Sequence, residues 1–229
     1  LFDPRFVKID DGHNFMSVRY VCSSGGRLSS TMLSNISIFF PNALMYSMYG
    51  LTEAFRSTYL HPNDLQNRPN SIGKAIPDVE ILVLDDQGQE CKAGDEGELV
   101  HRGGCMALGY WNDTQKTKER FRTHPLYPGE TLVYSGDLVV KDQEGFISFV
   151  GRKDEMLKNN GIRISTTEIE TIVDSHPNVS AVVAFGIDNI EVGHDIVAVY
   201  TTNDLAPLNQ SAFRRFLKGK AIYQSRSNQ

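Results

Sequence analysis

No apolar run in this chain approaches the length of a membrane span, and no stretch has the order of a secretory signal. Metal-site spacing is missing as well. Cys22, Cys91 and Cys105 lie too far apart for a CxxC pair, and the 6 histidines form no HxxH or HExxH pattern. An odd cysteine count without scaffold spacing argues against a disulfide framework and suits a reducing, cytoplasmic setting. There is no basic excess: 28 acids against 23 bases leave a net charge of −5, which argues against nucleic-acid binding through the whole surface. The GxxxxGK[ST] phosphate loop and the dinucleotide GxGxxG spacing are both absent, as are internal repeats. The first residue is Leu rather than Met, as expected of a fragment or a processed product.

What is there changes its grammar twice. Val18 to Cys22 predicts a short strand that runs into Ser23-Ser24-Gly25-Gly26, and a helix is expected from about Ser29 to Phe39, stopped by Pro41. Leu44 to Met48 is a second strand, leading to a turn at Tyr49-Gly50. Strand, glycine turn, helix, strand is α/β grammar with parallel strands. His61 to Pro77 is polar and broken by prolines, and predicts loop. Short strands follow at 79–84, 98–101, 132–134, 138–141 and 146–150, separated by acidic, glycine-ended turns at Asp85–Gly88 and Asp142–Gly145. Asn112 or Asp113 caps a short helix through Phe121. Such a series predicts a small antiparallel, β-barrel-like subdomain. After Gly151 the period changes again. Ser165 to Glu168 has the form of a capping box, with a helix from Thr166 to about Ser175, strands at 179–185 and 196–201, and a helix over 211–217. The expected fold is therefore α/β, then the β-barrel-like subdomain, then a small α+β C-terminal lobe. The boundaries are 1–60, 61–150, a hinge at 151–154, and 155–229.

Several residues carry chemistry. Thr52 offers a hydroxyl that can donate to a phosphate oxygen, and Glu53 beside it a carboxylate that can share a Mg²⁺ with that phosphate; a helix cap is the plain alternative. Ser135-Gly136-Asp137 places a carboxylate between strand candidates, suited to the two hydroxyls of a ribose or simply to an acidic turn. Arg152, Lys153, Lys158 and Arg163 form a local positive field able to hold an anion, and Gly161 permits a left-handed turn among them. A salt-laced linker has the same composition.

The order of these pieces is more specific than any one of them. MYGLTE is followed by GELVHRGGCMALGYWN and then by YSGDLVVKDQEGFISFVGRKDEMLKNNGIRISTTEIE. This order strongly resembles the C-terminal half of the adenylate-forming family: AMP-forming acyl-CoA synthetases, nonribosomal peptide adenylation domains and firefly-type luciferases. The match runs from about residue 18 to about residue 217. It implies an acid-thiol ligase that activates a carboxylic acid with ATP and Mg²⁺ as acyl-AMP. The acyl group then passes to coenzyme A or, as a second choice, to a phosphopantetheinyl carrier protein. By the resemblance, Gly25 and Gly26 line the acyl and adenine pocket, and Tyr49, on the turn with Gly50, borders the adenine. Thr52 contacts phosphate and Glu53 holds Mg²⁺. Asp137 binds the ribose hydroxyls with Arg152 beside it. Asp154 is the hinge, Lys158 and Gly161 belong to the thioester-forming face, and Arg163 contacts phosphate in one pose. Arg27 stands where many members carry a small or acidic residue.

The resemblance also leaves gaps. The family's Ser/Thr/Gly-rich phosphate loop corresponds to sequence before Leu1. Phe216-Leu217-Lys218-Gly219-Lys220 is not its late Pro-rich Gly-Lys motif. The expectation is a ligase fragment with little adenylation activity alone. A noncatalytic protein that keeps the fold to bind nucleotide or a partner is the reading from another class.

Overall fold

The computed structural model describes residues 15–26, 28, 30–202 and 209–227; Arg27 lies outside them. The chain divides into two compact units. One comprises the chain up to Ile81 with His101–Val133 and Asp142–Ser148; the other comprises Leu82–Val100, Tyr134–Lys141 and Phe149 onward.

The first unit opens with β1 (Tyr20–Ser23), α1 (Ser30–Phe39) and β2 (Leu44–Leu51). β1 and β2 are parallel, with Tyr20 opposite Leu44 and Ser23 opposite Ser47, so the expected strand–helix–strand crossover is present. Beyond it the structure departs from expectation. β2 continues through Tyr49 and Gly50, and the turn falls at Thr52-Glu53, where the chain folds back as the antiparallel β3 (Ala54–Leu60). A side chain at Gly50 would begin 2.2 Å from the Arg56 backbone nitrogen, so the glycine serves close strand approach and not the turn itself.

The segment expected as loop holds two elements, α2 (Pro62–Leu65) and β4 (Ser71–Ala75). Proline is tolerated at the first helical position because that N–H has no helical partner, and His61 Nδ1 caps the helix by accepting from the Asn63 N–H at 3.2 Å. Polar composition concealed both elements. Further along, α3 (Thr114–Arg120) is capped by Asp113, which accepts from the Lys116 N–H at 2.9 Å, and leads into β7 (Phe121–His124). Ala54, Phe121 and Val133 form a buried cluster with Leu51, Met106 and Tyr110 packed around it.

The remaining strands of the sheet are β5 (Val79–Leu84), β6 (Glu96–Gly103), β8 (Tyr127–Lys141) and β9 (Ile147–Arg152). The pairing order is β1-β2-β3-β4-β9-β8-β6-β5, with β7 on β8. It is an open path, and the expected β-barrel-like subdomain is not formed. Alternating short strands with tight turns are the same local signal in a barrel and in an open sheet, and closure depends on non-local pairing. The two strand candidates at 132–134 and 138–141 belong to one strand of 15 residues, continued by Gly136 at φ 74°. Ser135-Gly136-Asp137 is therefore inside a strand, not a turn between two.

The rest of the second unit begins with a 3₁₀ turn, Lys153–Glu155. It continues as β10 (Met156–Asn159), β11 (Ile162–Ser165), α4 (Thr166–Asp174), β12 (Val179–Asn189), β13 (Gly193–Thr202) and α5 (Gln210–Ser227). Its strands pair in the order β11-β10-β13-β12. Asn160 and Gly161 turn the β10–β11 hairpin at φ 49° and 83°, the left-handed pair that a two-residue hairpin favours. Val173, Val179 and Phe213 are the buried centre of this lobe, joined by Ile169, Tyr200 and Phe216. Each of the three buried side chains contributes about 1.5–3 kcal/mol by leaving water. The last helix runs past the expected end at 217 to Ser227. No helix among the described residues is long and apolar enough to cross a membrane.

Ser165 stands at the start of α4 but makes no side-chain cap. Its hydroxyl instead donates to the Val150 carbonyl at 2.8 Å, and a Cβ on Gly151 would meet that hydroxyl oxygen at 2.3 Å. The capping-box pattern is present in sequence, but a tertiary acceptor takes the hydroxyl.

Candidate functional site

In the first unit Tyr49, Gly50, Thr52 and Glu53 lie at or beside the β2–β3 turn. Gly25 follows β1 at φ 88°, and a Cβ at Gly25 or Gly26 would meet none of the described residues within 4 Å. Tyr49, beside Gly50, stacks on His101 with ring centroids 6.1 Å apart and planes within 8°. His101 is fully buried and neither ring nitrogen has a hydrogen-bond partner. Burial pushes its pKa down to about 3, so the ring is neutral near pH 7. Thr52 is exposed at the turn and Glu53 is half-buried. The Glu53 carboxylate accepts a hydrogen bond from the Tyr110 hydroxyl, and its backbone carbonyl accepts from the Ala107 N–H at 2.8 Å. Burial first, then the bond to Glu53 and its charge, pushes the Tyr110 phenol up to about 12.

In the second unit Asp137, Arg152 and Asp154 are brought together. Asp137 is 6% exposed. Arg152 Nη1 donates to Asp137 Oδ1 at 2.8 Å and to the Ser135 carbonyl at 3.2 Å, while Nε donates to Asp154 Oδ1 at 3.2 Å. Burial works against the guanidinium charge, but the bonds and charges of Asp154 and Asp137 outweigh it and hold the group firmly cationic. The Asp137 backbone is fixed from below: its N–H donates to Ser135 Oγ at 3.0 Å, and Ser135 Oγ donates to the Leu99 carbonyl at 2.6 Å.

Lys153 is clamped in the same way, donating to Asp86 at 3.0 Å and Glu98 at 3.4 Å. Of the four bases expected to form a local positive field, Arg152 and Lys153 are thus matched by four carboxylates. Lys158 and Arg163 face each other across the β10–β11 register, with Gly161 at the hairpin tip. Among the described residues no three His, Cys, Asp or Glu side chains converge as a metal site. A divalent cation at Glu53 would need oxygens from a bound phosphate, which is the usual way Mg²⁺ is held in nucleotide sites.

Tyr110, His101 and Glu98 escaped the sequence reading. Glu98 accepts from the Gly136 N–H at 3.1 Å as well as from Lys153, so one carboxylate secures both the Asp137 backbone and the segment before Asp154. Glu98 and His101 lie within GELVHRGG and Tyr110 within GYW. Their place inside these motifs is the signal that the sequence offers for them.

The chain matches the family described as AMP-binding enzyme over residues 3–111. It is 32% identical over 209 residues to Gramicidin S synthase 2 from Brevibacillus brevis, covering 89% of this chain and 5% of that protein. Against the long-chain-fatty-acid–CoA ligase of Escherichia coli O157:H7 it is 34% identical over 177 residues, covering 76% of this chain and 30% of the ligase. The chain belongs to the adenylate-forming enzyme family. The fold agrees: the crystal structure of ATP-bound MatB from Rhodopseudomonas palustris superposes with a TM-score of 0.74 at 26% identity, over 86% of this chain and 38% of that one. The chain spans less than a third of the length of these two curated family members.

Proposed function

We propose that this chain carries part of an AMP-forming ligase that activates a carboxylic acid and passes the acyl group to coenzyme A. The observation that carries the reading is Asp137: a carboxylate 6% exposed, backed by Ser135 and held by Arg152, in the motif order of the family. Such a carboxylate can accept from two vicinal hydroxyls of a ribose, with Arg152 fixing its direction. Tyr49, backed by His101, offers an aromatic face for the adenine. Gly25 and Gly26 leave room for acyl and nucleotide, and Gly50 keeps the Tyr49 strand close to its neighbour.

In the first half-reaction a carboxylate oxygen of the acid attacks the α-phosphorus of ATP, and the bond to the β-phosphate oxygen breaks with pyrophosphate leaving. Negative charge gathers on the phosphoryl oxygens, where fixed donors and cations stabilise it by a few kcal/mol each. Thr52 would donate to phosphate and Glu53 would hold Mg²⁺, which when bound would neutralise phosphate charge. Arg163 adds a phosphate contact. In the second half-reaction the thiol sulfur attacks the acyl carbon, its proton passes to solvent, and AMP leaves. Lys158 and Gly161 on the β10–β11 hairpin belong to that step, Gly161 leaving space for the pantetheine arm. Asp154 is the hinge between the two poses. A reducing, cytoplasmic setting fits three cysteines that are all free thiols.

ATP–pyrophosphate exchange by the complete enzyme that contains this chain, over short, long and aromatic carboxylic acids and α-amino acids, is the test. Acid-dependent exchange that falls at least tenfold in Asp137→Ala is expected, and exchange independent of every acid would overturn the reading. Transfer to a carrier protein is the second reading, favoured by the match to Gramicidin S synthase 2 over 89% of the chain. Comparing thioester yield with free coenzyme A and with a pantetheinylated carrier separates them.

A further inference from the structure

Glu53 lies half-buried at a two-residue turn, where a carboxylate on three rotatable bonds would otherwise sample several directions. The structure gives it one. The Tyr110 hydroxyl donates to Glu53 Oε1 across 57 residues of sequence, and the Ala107 N–H donates to the Glu53 carbonyl at 2.8 Å. A single bridge between Ala54 and Met106 runs alongside. Tyr110 is itself held at three points. Its N–H donates to Thr117 Oγ1 at 2.9 Å, its ring meets Phe121 edge-on at 5.7 Å, and it packs on the buried Ala54, Phe121 and Val133. Gly109, at φ 145°, brings the backbone so close to Thr117 that a Cβ would stand 2.7 Å from its methyl group. The anchor is therefore built from the core outward, and the carboxylate is its last member.

We infer that Tyr110 is a positioning residue that fixes the Glu53 carboxylate, directing its second oxygen to the divalent cation of a metal–nucleotide complex. The inference rests on the proposed role of Glu53 in holding that cation. Tyr110 occupies Oε1, and Oε2 would be the oxygen offered to the cation. Hydrogen-bonded partners of ligating carboxylates are commonly worth about 10–100-fold in metal affinity.

The test is calorimetric titration of the chain with ATP in excess Mg²⁺ and with ATP in EDTA, for wild type, Tyr110→Phe and Glu53→Gln. The expected result is a metal-dependent gain in ATP affinity that falls about 10-fold in Tyr110→Phe and vanishes in Glu53→Gln, with metal-free ATP binding equal in wild type and Tyr110→Phe. A merely structural role would weaken both titrations together. A gain lost in Glu53→Gln but kept in Tyr110→Phe overturns the positioning role and leaves the Glu53 assignment intact. A gain kept in Glu53→Gln, or absent from wild type, overturns the metal role of Glu53 and the inference with it. If Tyr110→Phe loses its cooperative melt, the wild-type chain labelled with ζ-¹³C tyrosine decides. A Tyr110 signal that shifts with Mg²⁺–ATP and not with ATP in EDTA supports the role, and an unmoved signal overturns it.

Discussion

His101 is a polar ring inside the sheet with both nitrogens unpaired, stacked on Tyr49. Burying such a group costs about 1–3 kcal/mol, and charging it there costs more. Its folded pKa of about 3 lies below the ordinary value of 6.5, so the unfolded chain takes up a proton first as pH falls. The contribution of the neutral ring is complete above pH 6.5 and is lost on acidification towards pH 3, at up to about 1.4 kcal/mol per pH unit. His101→Phe keeps the stacked ring and removes the nitrogens. Chemical denaturation from pH 7 to pH 4 should show a shallower loss of stability in the variant, and parallel curves would rule out His101 as the source. The Asp142 carboxylate acts in both proteins. Burial raises its pKa, but the Phe146 N–H and Arg68 outweigh this and hold it below 3.8, so its contribution fades only at lower pH.

At the scale of elements, the β2–β3 hairpin presents Tyr49, Thr52 and Glu53 within five residues because its strands approach unusually closely. Gly50→Ala would place a methyl group 2.2 Å from the Arg56 nitrogen, against backbone that cannot swing aside. Overpacking of this kind costs about 1–3 kcal/mol or more. The urea midpoint should fall, and Tyr110→Phe in the same background should add little, since the hairpin is already displaced. An unchanged midpoint would show that the strands part easily. The hairpin was half legible in sequence. A short apolar run marks Leu44 to Met48 as strand, but Gly50 reads locally as a turn while its cause, the close Arg56 backbone, is non-local. Ser165 followed the same logic: its neighbours write a cap, and the Val150 carbonyl takes the hydroxyl.

For the molecule as a whole, the segment from Arg152 to Asp154 is where the proposed function asks most of the fold. Arg152 ties Asp154 to Asp137, and Lys153 ties the same turn to Asp86 and Glu98. Asp154→Pro fixes φ at that position and removes a carboxylate partner of Arg152. With Asp154 as pivot, thiol transfer by the complete enzyme that contains this chain should fall at least tenfold while its acid-dependent pyrophosphate exchange changes less. Equal losses in both assays would remove the pivot from the account.

The order of the chemical groups was determined by sequence alone: the Thr52-Glu53 pair, Asp137, and the run from Arg152 to Arg163 are fixed by chain position and by motifs whose order identifies the family. Elements whose cause is local could be read there too, such as the α1 crossover, the Asp113 cap and the left-handed turn at Gly161. Only the tertiary structure decided that the strands form open sheets, that β8 is one strand through Gly136, and that Arg152 and Lys153 are matched by carboxylates far away in sequence. The same holds for Tyr110, which reaches Glu53 across 57 residues. The physical reason is common to all four. Propensity and periodicity act over a few residues, whereas strand closure, charge pairing and the direction of a buried hydroxyl depend on which distant segments the core brings together.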